Sequence, residues 1–440
     1  MSVSTMPDQV YQIFCDAMGD ATTIARMGLS VSGGGDSMAL MYLAHRWSAD
    51  RGTALRVAVV DHGLRADSAA EAAFVQDRAA ALGMEADVLR WTDWSGQGNL
   101  QAAARRARRD LVAAWARRQG IGTVALGHTM DDQAETVLMR LGRGAGVDGL
   151  SAMAPQSEAA GLRWLRPLLG LRREALRRWL VAGGREWVDD PSNDDPRFDR
   201  VRARAALGHL HDLGVTVEGL SATSDRLRDA REALDQGVAA LAAQAATWGH
   251  CGELRLNLAA LRAAPAELAR RLLRCGLRSV AGTAYGARAE AEAKLMSAML
   301  GLQLGGGRSL HGCIIRPDGP TSVVVMREVA ALDPLPRPFG EAPMLWDGRF
   351  RIAPRAPIAD ARIAPLGEAG LRHLRDVADA GQWAAPPAWR GAPRAAQLTT
   401  PALWQRGRLR AAPLADYGDQ IDAVFVNCGP NWQEPSHQGT

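Results

Sequence analysis

Between residues 28 and 144, short apolar runs alternate with longer segments whose apolar residues recur at helical spacing. The runs "GLSVS" (28–32), "RVAVVDH" (56–62), "ADVLRW" (86–91) and "TVALGH" (123–128) read as strands. The spacing predicts helices over about 36–47, 69–83 and 100–119, and another opens at Asp131. A strand–helix–strand rhythm of this kind predicts an α/β fold with a doubly wound, mostly parallel sheet. The rhythm breaks near 151. "RWLRPLLGLRREALRRWL" (163–180) reads as a basic helical segment punctuated by proline, and "WVDDPSNDDPRFDRVRAR" (187–204) as a charged connector with a turn over Asp190–Asn193. Residues 218–301 read as helical. A β-hairpin is expected at 305–328 around Pro317-Asp318-Gly319-Pro320. A proline-rich linker follows at 333–343. From 344 the chain mixes short strands with one helix at about 367–379. The expected division is 1–212, a catalytic domain; 213–330, mainly helical; and 331–440, a linker with a small mixed α/β region.

No run of about 18 apolar residues occurs, so no membrane span is expected. The first residues lack the basic and apolar regions of a signal peptide. Five scattered cysteines form no C-x-x-C pair, which suits a reducing cytoplasm and speaks against a zinc or iron–sulfur site. The net charge is +4 and Lys294 is the single lysine, so nearly every positive charge is arginine. That suits phosphate recognition, although a charge of this size over 440 residues decides little.

Three polar clusters follow predicted strands: "SGGGDS" (Ser32–Ser37), Asp61-His62, and "GHTMDD" (127–132). In a doubly wound fold all three lie at the carboxyl edge of the sheet, where ligands bind. Gly33, Gly34 and Gly35 permit positive φ and a close backbone approach, and the helix that follows adds partial positive charge. Together these make a phosphate cradle. A Walker A loop requires a lysine, and none stands nearby. Asp131 and Asp132 open a helix, with Glu135 one turn on from Asp131. Such carboxylates serve either as helix caps or as ligands. Arg105, Arg106, Arg108 and Arg109 crowd one helix, which is either a solvated face or an anion site.

"SGGGDS" resembles the SGGxDS motif of the PP-loop ATP pyrophosphatases, which split ATP between its α and β phosphates and adenylate an oxygen of their substrate. "VDHGLR" (60–65), "NLQAAARRARR" (99–109), "LGHTMDDQAETVLMRLGRGAGVDGLSAM" (126–153), "RPLL" (166–169) and "DPSNDDPRFDR" (190–200) follow in the order of the tRNA(Ile)-lysidine synthase family. The resemblance is dense from Ser30 to Arg204 and faint beyond 344. It implies ligation of free L-lysine to the wobble cytidine of the isoleucine tRNA with a CAU anticodon, with ATP and Mg²⁺ required, in the cytoplasm; a homodimer stays open. It also implies site roles. Ser32, Gly33, Gly34, Gly35, Asp36, Ser37, His62 and His128 would bind ATP. Asp36, His128, Asp131 and Asp132 would be catalytic, with Asp36 and Asp132 near the metal ion. Arg105, Arg108, Asp132 and Glu135 would hold lysine. Arg143, Gly144, Arg200 and Arg204 would meet tRNA or close a loop; the last two would equally neutralise acidic neighbours. The family's usual tyrosine at Arg109 and asparagine at Val201 are missing. The alternatives are a PP-loop tRNA thiolase, opposed by the lack of any cysteine between Cys15 and Cys251, and a non-catalytic nucleotide-binding protein.

Overall fold

The computed structural model describes residues 6–19, 24–63, 68–92, 100–189, 197, 199–283, 285–333, 335–340, 342–355 and 359–426. The turn expected at Asp190–Asn193 lies outside them. The chain divides into two compact units, residues 1–231 and 232–435.

The first unit runs α1 (Met6–Met18), β1 (Arg26–Val31), α2 (Gly35–Ala49), β2 (Ala54–Asp61), α3 (Ser68–Ala81), β3 (Glu85–Arg90), α4 (Leu100–Arg118), β4 (Thr123–Leu126), α5 (Met130–Leu141), α6 (Val147–Leu150), β5 (Gln156–Ala159), β6 (Leu162–Leu165), α7 (Arg173–Ala182) and α8 (Asp199–Leu210). The sheet order is β3-β2-β1-β4-β6-β5. Every neighbouring pair is parallel except β5–β6 at the edge. Alternation along the strands sorts the two faces. Met27, Leu29, Val31, Val57 and Val59 pack with α1, α2, α3 and α7, whereas Ala58, Leu89 and Val124 pack with Val112, Trp115 and Ala116 of α4. The segment 163–180 is therefore a strand followed by a helix, since Leu162, Trp164 and Leu165 are needed to finish the sheet.

The order reverses at β1, which has β2 on one side and β4 on the other. Crevices at such reversals are where these sheets bind ligands. Gly127, just past β4, sits against the start of α2: a Cβ there would lie 3.0 Å from the Ser37 Cα and 3.1 Å from the Asp36 carbonyl oxygen.

A long helix, α9 (Val217–Ala245), begins in the first unit and ends in the second. The second unit continues through β7 (Ala246–Trp248), β8 (Leu254–Asn257), α10 (Leu258–Ala263), α11 (Ala266–Ala281), α12 (Ala289–Leu300), β9 (Arg308–Leu310), β10 (Cys313–Pro317) and β11 (Ser322–Arg327). The expected hairpin is present, but within a five-stranded sheet, β7-β8-β11-β10-β9. Two of its strands, β7 and β8, lie inside the stretch expected to be helical throughout. The remaining elements, β12 (Arg337–Pro338), β13 (Met344–Trp346), β14 (Phe350–Pro354), β15 (Ala361–Pro365), α13 (Gly367–Asp379), α14 (Pro387–Arg390), α15 (Arg394–Leu398), β16 (Pro401–Gln405), β17 (Arg408–Ala411) and β18 (Ile421–Phe425), build two small sheets. Val323 and Val325 of β11 pack with α11 and α12, while Val324 and Met326 face the core of the small sheets. No helix among the described residues is long and apolar enough to cross a membrane.

Gly127→Ala is expected to cost about 1–3 kcal/mol, because backbone rather than a flexible side chain meets the new methyl. It should also weaken ATP binding by displacing the first turn of α2. Urea unfolding and nucleotide titration measure the two effects.

Candidate active site

The glycine loop turns sharply after β1 and enters α2 at Gly35. Only Gly33 uses positive φ (+89°). Gly34 has φ −68° and Gly35 is helical, so of the three glycines that permit positive φ one uses it. The loop is braced from within. Ser32 N–H donates to Ser37 Oγ (3.1 Å), which donates to the Gly34 carbonyl (2.9 Å). Outside, Val188 N–H donates to the Gly33 carbonyl (2.9 Å). The first N–H groups of α2 have no helical acceptor, and the helix dipole adds to them. The result is an anion cradle at the mouth of the crevice.

Asp36 occupies the first turn of α2 rather than an open loop tip, and its side chain is only 21% exposed. Burial raises its pKa, against the lowering influence of Arg173. Oδ2 accepts from Arg173 Nε at 2.9 Å, whereas Oδ1 is buried without a partner.

Across the crevice, α5 starts with a capping box. Thr129 N–H and Oγ1–H donate to Asp132 Oδ2 (2.8 and 2.9 Å), and Asp132 N–H donates back to Thr129 Oγ1 (3.4 Å). Asp132 thus takes the capping role, one of the two left open for it, and also has a second engagement. Its Oδ1 lies 3.3 Å from Arg173 Nη2 and 3.6 Å from Arg200 Nη1. Burial works to raise its pKa, but Arg200 and Arg173, with the Thr129 N–H, outweigh it and hold the carboxyl below its ordinary value. Asp131 serves the neighbouring helix, accepting from the Arg173 backbone N–H (2.7 Å) and pairing with Arg172 (3.3 Å), which also pairs with Glu218. Glu135 is 1% exposed. Its Oε1 pairs with Arg204 (3.0 Å) and Arg173 (3.4 Å), and its Oε2 is buried without a partner.

Arg108 lies near both histidines, and His128, just before the α5 cap, also neighbours Asp132. Arg108 reaches from α4 to Ser30 Oγ of β1 (3.2 Å) and among the described residues meets no carboxylate; burial lowers its pKa. His62 is lowered by burial and then by Arg108. His128 is half-buried, and desolvation pushes it down to about 3, so it is neutral; its Nδ1 has no partner among the described residues. Arg105, more open on the same helix, is lowered to about 10 by desolvation and by Arg200. The expected lysine-site arginines thus divide: Arg105 senses Asp132 and Glu135, whereas Arg108 sits on β1. Arg143 and Gly144 are exposed, and Arg143 pairs with Asp199 (3.1 Å).

Sequence reading did not single out Arg173. Its signal was an Arg-Arg pair opening a helix, where cations are disfavoured by the dipole unless carboxylates meet them. Among the described residues no three His, Cys, Asp or Glu side chains are arranged to hold a metal ion. The site fits a Mg²⁺ ion that arrives on a nucleotide and needs few protein oxygens. Asp36 offers a free Oδ1, while both oxygens of Asp132 are engaged.

Asp132→Asn is expected to destabilise the fold by about 3 kcal/mol at pH 7, because Arg173 and Arg200 lose a buried partner. Asp132 titrates lower in the folded chain than in the unfolded one. Its stabilisation is therefore complete above about pH 4 and fades as the pH falls toward the depressed value. Urea midpoints of the variant and the parent should differ at pH 7 and converge in the acid range.

Residues 5–210 match the PP-loop domain family. A tRNA(Ile)-lysidine synthase of Ruegeria pomeroyi is 44% identical over 89% of this chain and 88% of its own. One from Hyphomonas neptunium is 39% identical over 68% of this chain and 81% of its own. Among solved structures, a tRNA thiolase from Methanococcus maripaludis with its 4Fe-4S cluster superposes with a TM-score of 0.43 at 16% identity, over 50% of this chain and 76% of that one. With a PP-loop domain, a glycine-rich loop, a carboxylate-capped α5 and relatives matched over most of their length, the chain belongs to the tRNA(Ile)-lysidine synthase family of tRNA-modifying ligases.

Proposed function

We propose that this chain joins free L-lysine to the 2-position of the wobble cytidine in the CAU-anticodon isoleucine tRNA. The observation that carries the reading is the joining of two half-sites. The anion cradle of α2 and the buried carboxylates of α5 share one guanidinium, so phosphate chemistry and an amine site meet in one crevice.

In the first step the cytidine O2 attacks the α-phosphorus of ATP. The bond to the β-phosphate breaks and pyrophosphate leaves. Ser32–Ser37 hold the phosphates through backbone N–H groups, with neutral His128 and His62 beside them. Asp36 Oδ1 would hold Mg²⁺, which offsets the charge on the departing pyrophosphate. In the second step the lysine ε-amine attacks C2, the C2–O bond breaks and AMP leaves. Glu135 Oε2 and Asp132 are the partners assigned to the ε-ammonium, and Glu135 Oε2 takes the proton shed before attack. Arg105 and Arg108 supply positive charge for the lysine carboxylate. Arg200 and Arg204 set the carboxylates in place, and the exposed Arg143–Gly144 loop is assigned to the tRNA.

The test is incubation with ATP, Mg²⁺, radiolabelled lysine and bulk bacterial tRNA. Label should enter the tRNA only with ATP, with release of AMP and pyrophosphate. An unlabelled tRNA that takes up sulfur from a donor instead would overturn the reading. Glu135→Gln should raise the lysine KM by about tenfold or more, the cost of losing a charge-assisted hydrogen bond, with the ATP KM little changed. Equal changes in both constants would remove Glu135 from the amine site.

A further inference from the structure

Arg173 is the first residue of α7, and its backbone N–H is tied to Asp131 at 2.7 Å. From that anchor its guanidinium reaches three carboxylates on two other helices: Asp36 Oδ2 at 2.9 Å, Asp132 Oδ1 at 3.3 Å and Glu135 Oε1 at 3.4 Å. The side chain is 19% exposed. Carboxylates gathered from separate elements are the usual setting for bridging divalent ions in phosphoryl-transfer sites, which often hold two metal ions. Here a tethered organic cation stands among them, each carboxylate meets a different one of its nitrogens, and the three are not arranged around a metal position. Asp132 Oδ2 is committed to Thr129, which leaves Asp36 Oδ1 and Glu135 Oε2 as the buried carboxylate oxygens of this cluster without a partner. They belong to different helices, and Arg173 lies between their carboxyl groups.

We propose that Arg173 is the permanent cation of this site, held where a second, carboxylate-bridging metal ion would otherwise bind, so that the protein takes one divalent ion only, delivered on the nucleotide at Asp36. Arg173 is a positioning residue, acting through Asp36 and Glu135 rather than on the reacting atoms. The count of one ion rests on the ATP step proposed above; the exclusion of a bridging ion by Arg173 does not.

The test counts Mn²⁺ bound to the full chain by equilibrium dialysis and electron paramagnetic resonance, with and without a non-hydrolysable ATP analogue. The parent protein should bind one Mn²⁺ with the analogue and none tightly without it. Arg173→Ala should bind a second ion, and its affinity for Mn²⁺ without nucleotide should rise about tenfold, because a positive charge has left the carboxylates. Arg173→Lys, which keeps the charge, should retain the parent's count. Two ions on the parent or on Arg173→Lys, or an unchanged count and affinity in a folded Arg173→Ala, would overturn the proposal. Thermal melting reports whether Arg173→Ala is folded; if it is not, the parent and the lysine variant decide. An analogue that fails to bind counts against the proposed function, while the nucleotide-free comparison still decides the role of Arg173.

Discussion

Four carboxylates crowd one end of a sheet, and arginines from later in the chain come to meet them. Asp36 shows what burial alone would do: its pKa rises despite Arg173. Asp132, with Arg173 and Arg200 both close, goes the other way. The placement of α7 and α8 follows from this constraint. The N-terminus of α7 would repel the Arg172-Arg173 pair, yet Asp131 caps it and the pair is neutralised across the gap. Arg204 of α8 similarly meets a glutamate that is almost wholly out of water. Such pairs add little net stability, but each partner becomes costly to remove.

The same crevice separates charge by side. Toward α5 and α7 the carboxylates are matched by arginines. Toward β1 and α4, Arg108 rests on a serine hydroxyl and burial lowers the His62 pKa, while neutral His128 stands beside Asp132. A ligand bearing both an anionic and a cationic end finds complementary surroundings within one cleft, and the protein needs no large movement of charge to provide them.

The catalytic half was largely legible because its strands are Val-rich runs bounded by polar loops, and its topology follows from right-handed crossovers. A capping role for the carboxylates that open α5 was legible, but the part of Thr129 as the N-cap was not read. Arg173 was not: its contact with Asp36 spans 137 residues, and nothing local distinguishes it from Arg172, Arg177 or Arg178. The single use of positive φ, at Gly33, was also hidden, since three glycines in a row look alike until the helix start is known. In the second unit β7 and β8 were missed because each has only three or four residues and adjoins strongly helical sequence.

The run Val323-Val324-Val325-Met326 has a consequence for how the second unit comes apart. Alternate side chains of β11 belong to different cores, so neither core can melt while the other stays sealed. Residues 232–330 and 331–426 therefore form one cooperative block despite the proline-rich stretch between them. A protease cut in that stretch would nick the chain without releasing a soluble fragment, because the first piece alone would leave one row of this strand bare to water and the second would lose the strand that closes its core.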